Sequence, residues 1–228
     1  MGHAVLAIWN HVNPDVEEDY NLWITKEHMP ERMGAPGFLR GRRYISINES
    51  SRQRYFNLYE LESATDSSSP QYMSMLNSPS AWTSRLMPSL VNFTRGTGVV
   101  THSAGKGVAQ FMLTVRANES NPNEQVPFPN NALAQWLEKL EWASSVHTGI
   151  SQAPSSPNLT AEKRLRANGA ANELDFSHFL FLESPSKEYL LEISTAVKEK
   201  FASNFTSEPV LIMELYQINY FLDRKVEG

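Results

Sequence analysis

The sequence predicts an α+β fold made of two repeats, each with the element order β-α-β-β-α-β. Three observations predict it. Strand and helix patterns occur in this order twice within the 228 residues. The third predicted strand of each repeat ends in a Glu-Ser pair, Glu62-Ser63 and Glu183-Ser184, and a helix pattern follows both pairs. Pro88 and Pro209 each precede a fourth strand. The alternative is a single α+β domain of mixed topology.

The first repeat begins with an apolar run, and Asn13-Pro14-Asp15 then provides the polar cap and proline that favour a helix start. Pro30 ends or kinks this helix near His28, because proline has no N–H to donate. Polar residues between two strand patterns predict a hairpin. The expected strands are 4–9, 38–47, 55–61 and 90–95, and the expected helices are 15–28 and 69–76, with a further turn at 81–86.

The second repeat follows a segment rich in glycine and small residues, which predicts a linker. We therefore expect a first unit over 1–97, a linker over 98–107 and a second unit over 108–228. His147 is expected in a loop. The predicted strands are 108–115, a weak one at 159–166, 174–182 and 210–222, and the predicted helices are 131–144 and 186–201.

The composition excludes several classes of protein. The net charge is -5, whereas nucleic-acid binders usually carry a basic excess, so no nucleic-acid partner is expected. The chain contains no cysteine, which excludes disulfides and thiolate metal sites. No run approaches the ~18 apolar residues of a membrane span. The first residues lack the basic region and cleavage site of a signal peptide, so a cytoplasmic protein is expected.

The two predicted sheets each have one face without helices, and they would bury these faces by packing together as a barrel. Alternation suggests that mixed aromatic and polar sets line the interior and bind a ligand. Arg42 and Arg43 point to opposite faces, and alternation favours Arg42 inside. In the last strand, alternation favours Tyr216, whereas aligning the two prolines favours Met213. The expected substrate-binding residues are Trp9, Arg42, Tyr44, Asn57, Tyr59 and Tyr216.

Two histidines are candidate catalytic groups. His28, at the end of the first helix, has the side chain that best exchanges protons near neutral pH. It could instead only stabilise the helix dipole. Matching the two Glu-Ser pairs places His178 opposite Asn57, on the expected inner face. His178 could equally be a core residue, or a haem ligand. The six histidines show no metal-ligand spacing, so no metal is expected.

Three segments together resemble a known superfamily: WITKEHMPERMGAPGFLRGRRY at 23–44, RYFNLYELES at 54–63 and SAWTSRL at 80–86. They resemble the dimeric α+β-barrel superfamily, and within it the EthD-like proteins, which carry a helix ending in His, then PGF, then an Arg-Tyr strand. The resemblance covers roughly residues 4–96. It implies two ferredoxin-like repeats packed sheet to sheet as an intramolecular version of the dimeric barrel, and it is compatible with a homodimer.

The resemblance favours an enzyme that needs no cofactor and acts on a small hydrophobic, aromatic or polyketide-like molecule. The expected reactions are cyclisation, dehydration, decarboxylation or isomerisation by proton transfer, with His28 or His178 moving the proton. The alternatives are a non-catalytic protein that binds a small hydrophobic ligand and a monooxygenase, either haem-dependent or cofactor-free. A fold alone does not establish a reaction, so the choice depends on the site.

Overall fold

The computed structural model describes residues 1–118, 127–152, 159–166 and 176–224. In these ranges, eight strands close into one barrel, in the order β1-β3-β2-β8-β5-β7-β6-β4. All neighbouring strands are antiparallel. The strands are β1 (Ala4–Val12), β2 (Phe38–Ser46), β3 (Tyr55–Leu61), β4 (Leu90–Gly105), β5 (Phe111–Asn118), β6 (Ser145–Gln152), β7 (His178–Ser184) and β8 (Val210–Asp223).

The helices pack on the outside of the barrel, which confirms the predicted α+β class. None of those described has both the length and the apolar character needed to cross a membrane. They are α1 (Glu17–Trp23), α2 (Met29–Met33), α3 (Pro70–Asn77), α4 (Ala81–Leu86), α5 (Asn131–Leu137), α6 (Ala161–Leu165) and α7 (Lys187–Ala202).

Two seams join the first four strands to the last four. Along the barrel, the first four lie in the order β4-β1-β3-β2, and the last four in the order β8-β5-β7-β6. One seam pairs β2 with β8, and the other pairs β4 with β6. Every strand in the described ranges therefore has two neighbours, and none of these strands has an edge free for another chain to pair with.

The barrel interior is a packed aromatic and aliphatic core. One buried cluster contains strand residues from both halves, together with Phe176 immediately before β7, and no residue of a helix, so it lies inside the barrel. Its members are Val5, Ala7, Trp9, Tyr44, Phe56, Leu58, Met112, Phe176, Phe179, Phe181 and Tyr216. The remaining clusters combine strand and helix residues and lie between the barrel and its helices. In β1, Val5, Ala7 and Trp9 therefore face inward.

The predicted linker at 98–107 is mostly strand, because β4 continues to Gly105. The small residues of this segment allow neighbouring side chains to pack close to the backbone. A Cβ added to Gly98 would overlap the ring of Phe179, and so would a Cβ added to Gly149 on the neighbouring strand. Glycine at both positions lets a phenyl ring from β7 lie flat against the barrel wall.

The prediction was also wrong between residues 137 and 166. Helix α5 ends at Leu137 rather than at residue 144, and residues 145–152 form β6, so that His147 lies in a strand rather than in a loop. The segment expected to be a weak strand contains α6, which Thr160 caps by accepting a hydrogen bond from the backbone N–H of Lys163.

The first helical segment changes geometry immediately before His28. Residues Ile24–His28 form a π-helical turn between α1 and α2, closed by the N–H of Met29 donating to the carbonyl of Ile24. A π turn holds one residue more than an α turn, and such turns are frequent at functional sites. The extra residue brings His28, rather than Glu27, onto the buried side.

Candidate functional site

The structure divides the predicted site residues into separate groups, and the first lies inside the barrel. Trp9 stacks on Phe56 with 4.6 Å between ring centroids, and the Tyr44 ring lies 5.5 Å from Phe56 on the other side. The hydroxyl of Tyr216 donates to the carbonyl of Gln53 at 2.8 Å. Tyr216 is therefore inside, as alternation predicted, whereas Met213 packs on the helix side. These rings fill space that was expected to hold a ligand.

Arg42 is also inside, and two carboxylates neutralise it. Its guanidinium lies 2.7 Å from Glu183 and 3.0 Å from Glu60, and it donates to the Tyr44 hydroxyl at 2.9 Å. Glu183 also accepts a hydrogen bond from the N–H of Ala109. A buried guanidinium needs such compensation, and here the protein supplies it. The expectation that Arg42 would bind a substrate anion is therefore not supported by its contacts.

Asn57 and Tyr59 face the helices, contrary to the prediction. Asn57 lies opposite Ile8 on β1 and Arg43 on β2, so these three side chains share the outer face. Tyr59 packs in a cluster with Met29 of α2. Their neighbours Phe56 and Leu58 take the inner positions. The error has a physical cause: every residue of β3 is buried, so alternation of polarity does not reveal which face is which.

His28 lies on this same outer side, against the helix layer. Its ring packs on Trp23 with 4.2 Å between centroids, and the indole N–H of Trp23 donates to the Thr83 hydroxyl on α4 at 3.1 Å. The side chain of Glu27 accepts a hydrogen bond from Ser80, which precedes α4. The contacts of Trp23 and Glu27 with α4 fix the π turn and hold the imidazole of His28 in place.

Burial sets the protonation of two groups on this side. Burial, together with the charge of Arg32, holds the pKa of His28 well below its usual value. The imidazole is therefore neutral at pH 7, and the same burial makes it a weaker base than a solvated histidine. Burial raises the pKa of Tyr59, so its phenol stays protonated and can donate a hydrogen bond.

Several buried polar atoms on this side lack a hydrogen-bond partner among the residues that the structure describes. They include Nδ1 of His28, Nε of Arg43, Oδ1 of Asn57 and the hydroxyl oxygen of Tyr59. Unpaired buried polar atoms are rare in folded proteins and cost free energy. Atoms without a partner also lie inside the barrel, among them Nε1 of Trp9 and Nε of Arg116, and the group on the helix side is distinguished by containing a histidine. We call His28, Arg43, Asn57 and Tyr59 the helix-side site.

A chain of ring contacts connects the two ends of the helix-side site. Trp23, which packs on His28, contacts Tyr20 with 5.8 Å between centroids, and Tyr20 contacts Tyr55 at 4.9 Å. The guanidinium of Arg43 lies over Tyr55, 4.5 Å from the ring centre. One continuous aromatic layer therefore supports both the neutral imidazole and the buried cation.

A short helix from the second half covers this region. Glu162 of α6 forms a buried ion pair with Arg32 of α2, and the N–H of Ala161 donates to the side chain of Asn77. Leu165 packs against the cluster that contains Trp23. Sequence reasoning missed α6 altogether, since a five-residue helix has too few turns to show a period.

His178 lies away from the inner face on which it was predicted. It is on the helix side of the second half, because Phe179 and Phe181 take the inner positions. The described surroundings do not fit a haem. The His178 ring contacts Phe128 and Phe205 with centroids 4.7 and 4.9 Å away, and its Nδ1 is hydrogen-bonded to Ser177. Burial lowers the pKa of His178 to about 4.

Other elements of the site could not be found from the sequence. Arg43 was placed opposite the site, because the register that sets it beside Asn57 is not visible in one strand alone. The signal for the π turn is Pro30, which has no N–H to continue the α-helical pattern. Within the described ranges, no cluster of His, Asp or Glu has the arrangement of a metal site.

Comparisons with known proteins bear on the fold alone. No family model matches the sequence, and no curated protein matches it either. An anthrone oxidase-like protein superposes with a TM-score of 0.60 at 10% identity, over 99% of this chain and 94% of that one. A candidate monooxygenase from Fusobacterium nucleatum subsp. nucleatum superposes with a TM-score of 0.58 at 11% identity, over 98% and 95%. A mutant chlorite dismutase from Candidatus Nitrospira defluvii gives 0.54 at 10%, over 96% and 92%.

The chain therefore has an α+β barrel fold that these three structures share over almost their whole lengths. This is consistent with the dimeric α+β-barrel superfamily that its first half resembles. Identities near 10% show nothing beyond the fold. The EthD-like assignment and the homodimer stay predictions.

Proposed function

We propose that this chain is a cofactor-independent enzyme that moves protons on a small aromatic or polyketide-like molecule at the helix-side site. The observation that carries the proposal is the buried, neutral His28, whose Nδ1 lacks a partner among the described residues. Asn57 and Tyr59, each with an unpaired oxygen, lie on the same side of the sheet. A base of this kind typically contributes about 10²–10⁴-fold to a rate.

The proposed chemistry begins with removal of a proton from an activated carbon by His28. The negative charge then moves to a substrate oxygen, giving an enolate or phenolate. The protonated hydroxyl of Tyr59 donates to that oxygen, and one such donor can be worth ~3 kcal/mol in the transition state. Oδ1 of Asn57 accepts a hydrogen bond from a substrate hydroxyl.

Return of the proton to another carbon gives an isomerisation, and its transfer to a hydroxyl group that departs as water gives a dehydration. In a cyclisation the enolate carbon attacks a carbonyl of the same molecule, and the carbonyl oxygen takes the proton. In a decarboxylation loss of CO2 forms the enolate or phenolate instead, and a proton then adds to the carbon that carried the carboxylate.

The two-repeat arrangement is part of the proposal. The orders β4-β1-β3-β2 and β8-β5-β7-β6 correspond strand for strand, which supports two ferredoxin-like repeats in one chain. The repeats then differ in function: the first provides the site, and the second closes the barrel and contributes α6 as a cover.

A cofactor-free oxygenase is the second candidate, supported by the likeness to an anthrone oxidase-like protein. Its first step is the same. Removal of a proton from an activated CH2 group gives a carbanion, which dioxygen converts to a carbonyl with release of water. The helix-side site serves either reaction, and the supply of dioxygen distinguishes them.

Anthrone provides a test, since its central CH2 group is acidic. In D2O without air, we expect the protein to catalyse exchange of these protons, followed by NMR. His28→Gln should lower the rate constant by about 10²-fold or more. The exposed His3 provides the control, and His3→Gln should exchange like the wild type. In air, appearance of anthraquinone would favour the oxygenase.

His178→Gln tests the other histidine in the same assay. Loss of exchange in His178→Gln together with full exchange in His28→Gln would move the site to the second half. Exchange no faster than in buffer, combined with binding of anthrone at all pH values, would instead favour a non-catalytic binding protein.

A further inference from the structure

Arg43 is a buried cation without an acid. It is 1% exposed, and its guanidinium donates from Nη1 to Oδ1 of Asn219 at 3.0 Å and from Nη2 to Oδ1 of Asn21 at 2.6 Å. Its Nε has no partner, and no carboxylate among the described residues forms an ion pair with it. Both of its acceptors are neutral amides, which compensate a full charge poorly.

Two of the other buried arginines are each paired with two carboxylates. Arg42 lies between Glu60 and Glu183, and Arg32 pairs with Glu31 and Glu162. Arg116 also lacks an ion pair in the described part, but it lies over the ring of Trp9 inside the barrel, with its centre 4.0 Å from the ring. Arg43 likewise lies over two rings, those of Tyr20 and Tyr55, and its described hydrogen bonds go to neutral amides. It is therefore a buried cation without a carboxylate partner among the described residues, on the side that carries His28.

The two amide acceptors of Arg43 can be displaced from outside. Asn219 is exposed on β8, and Asn21 is half-buried on α1, so both side chains can turn towards solvent. A carboxylate accepts from a guanidinium more strongly than an amide does, and it takes two parallel bonds. Tyr20 and Tyr55 hold the guanidinium at 5.2 and 4.5 Å from their ring centres, so its fork is already oriented.

The register of β2 and β3 connects this cation to the proposed reaction. Arg43 lies directly opposite Asn57, and Tyr59 is the next outward residue on β3. A molecule whose anionic end binds Arg43 would extend along Asn57 and Tyr59. The aromatic layer from Tyr55 through Tyr20 to Trp23 leads from Arg43 to His28.

We propose that Arg43 is the substrate-binding group of the helix-side site and that the substrate is a small aromatic carboxylate. The proposal rests on the proposed function for the location of the site. The carboxylate displaces the amides of Asn21 and Asn219 and pairs with both Nη atoms. The aromatic part then lies against the tyrosine and tryptophan layer.

Two matched probes test this assignment: 1-naphthoate, which is anionic, and methyl 1-naphthoate, which is neutral. Calorimetric titration of the full chain should give naphthoate binding roughly 10–100-fold tighter than ester binding, as expected for a charge-assisted hydrogen bond. Arg43→Met should remove this preference and leave ester binding unchanged. The control is Arg85→Met, which changes an exposed arginine paired with Asp19 and should keep the preference.

Circular dichroism decides whether Arg43→Met is folded. Arg43→Lys provides a second variant, since it keeps the charge and loses the planar fork, and it should retain part of the preference. Equal binding of acid and ester by the wild type overturns the proposal without any variant. A preference that survives in folded Arg43→Met overturns it as well.

The outcomes also separate this inference from the proposed function. If neither probe binds, the helix-side site is wrong, and both proposals fall. If both bind equally, only the role of Arg43 is overturned. If binding prefers the acid through Arg43 while anthrone exchange does not depend on His28, the anion site stands and the proposed reaction is rejected.

Discussion

Arg32 on α2 and Glu162 on α6 form a buried ion pair across 130 positions of the chain. Their side chains are 1% and 6% exposed. The pair fixes a helix of the second half over the helix layer of the first, beside His28. The same guanidinium also contacts Glu31, whose side chain is 32% exposed, so the two carboxylates differ mainly in burial.

Removal of the buried carboxylate should be costly. Glu162→Ala leaves the charge of Arg32 buried with one partly exposed partner, and breaking such a pair typically costs about 3–5 kcal/mol. Glu31→Ala is the matched control and should cost less than about 1 kcal/mol. Urea unfolding measures both. Equal losses in the two variants would mean that α6 contributes little to holding Arg32.

Stability should fall as the pH decreases from 7 towards 4. Burial lowers the pKa of His147 to about 3 and that of His178 to about 4, and holds that of His28 well below its usual value. In the unfolded chain these groups titrate near 6.5. Below that pH the unfolded state binds more protons, so each histidine removes up to about 1.4 kcal/mol per pH unit until its folded pKa is reached.

Histidine variants distinguish the contribution of the histidines to this pH dependence from that of the carboxylates, which titrate in the same pH range. His147→Gln should flatten the dependence of unfolding free energy on pH between 6.5 and 4. His3 is exposed, and His3→Gln should leave the curve as it is in the wild type. A curve for His147→Gln that parallels the wild type would show that folding does not lower the pKa of His147.

Because Gly149 lies close to the ring of Phe179, adding a methyl group at position 149 should destabilise the folded protein. Gly149→Ala places a Cβ on the ring, and overpacking of this kind costs about 1–3 kcal/mol. The added Cβ would also overlap the backbone oxygen of Val99, which no side-chain change relieves. Phe179→Leu in the same chain removes the overlap with the ring, so the double variant should still lose less than the sum of the two single variants. Thermal unfolding of the four proteins gives the coupling. Strict additivity would argue against the contact.

The sequence predicts elements whose pattern has one buried face, and it fails where both faces are buried. The stripe of α7 is clear because its outer side is solvated. In β3 every residue is buried, so Asn57 and Tyr59 were assigned to the wrong face. Alternating Val146, Thr148 and Ile150 were a signal for β6 in a stretch where a loop was expected at His147.

The candidate site was harder to predict than the fold because it depends on register. His28 was recognised by residue type and family resemblance, but the π turn that buries it comes from one extra residue in a turn. Arg42 and Arg43 are adjacent residues of the same type, so the sequence alone does not show which of them has carboxylate partners. The carboxylates that distinguish them come from β3 and β7, which is tertiary information.

Because the two halves of the barrel are joined along two pairs of strands, their association does not require the peptide chain that connects them. Lys106 is exposed and lies between β4 and β5, where trypsin can cut. The two fragments would still be paired along β2–β8 and β4–β6 and linked by Arg42–Glu183 and Arg32–Glu162. A nicked chain should therefore run as one species on a sizing column, and separately expressed fragments should complement each other.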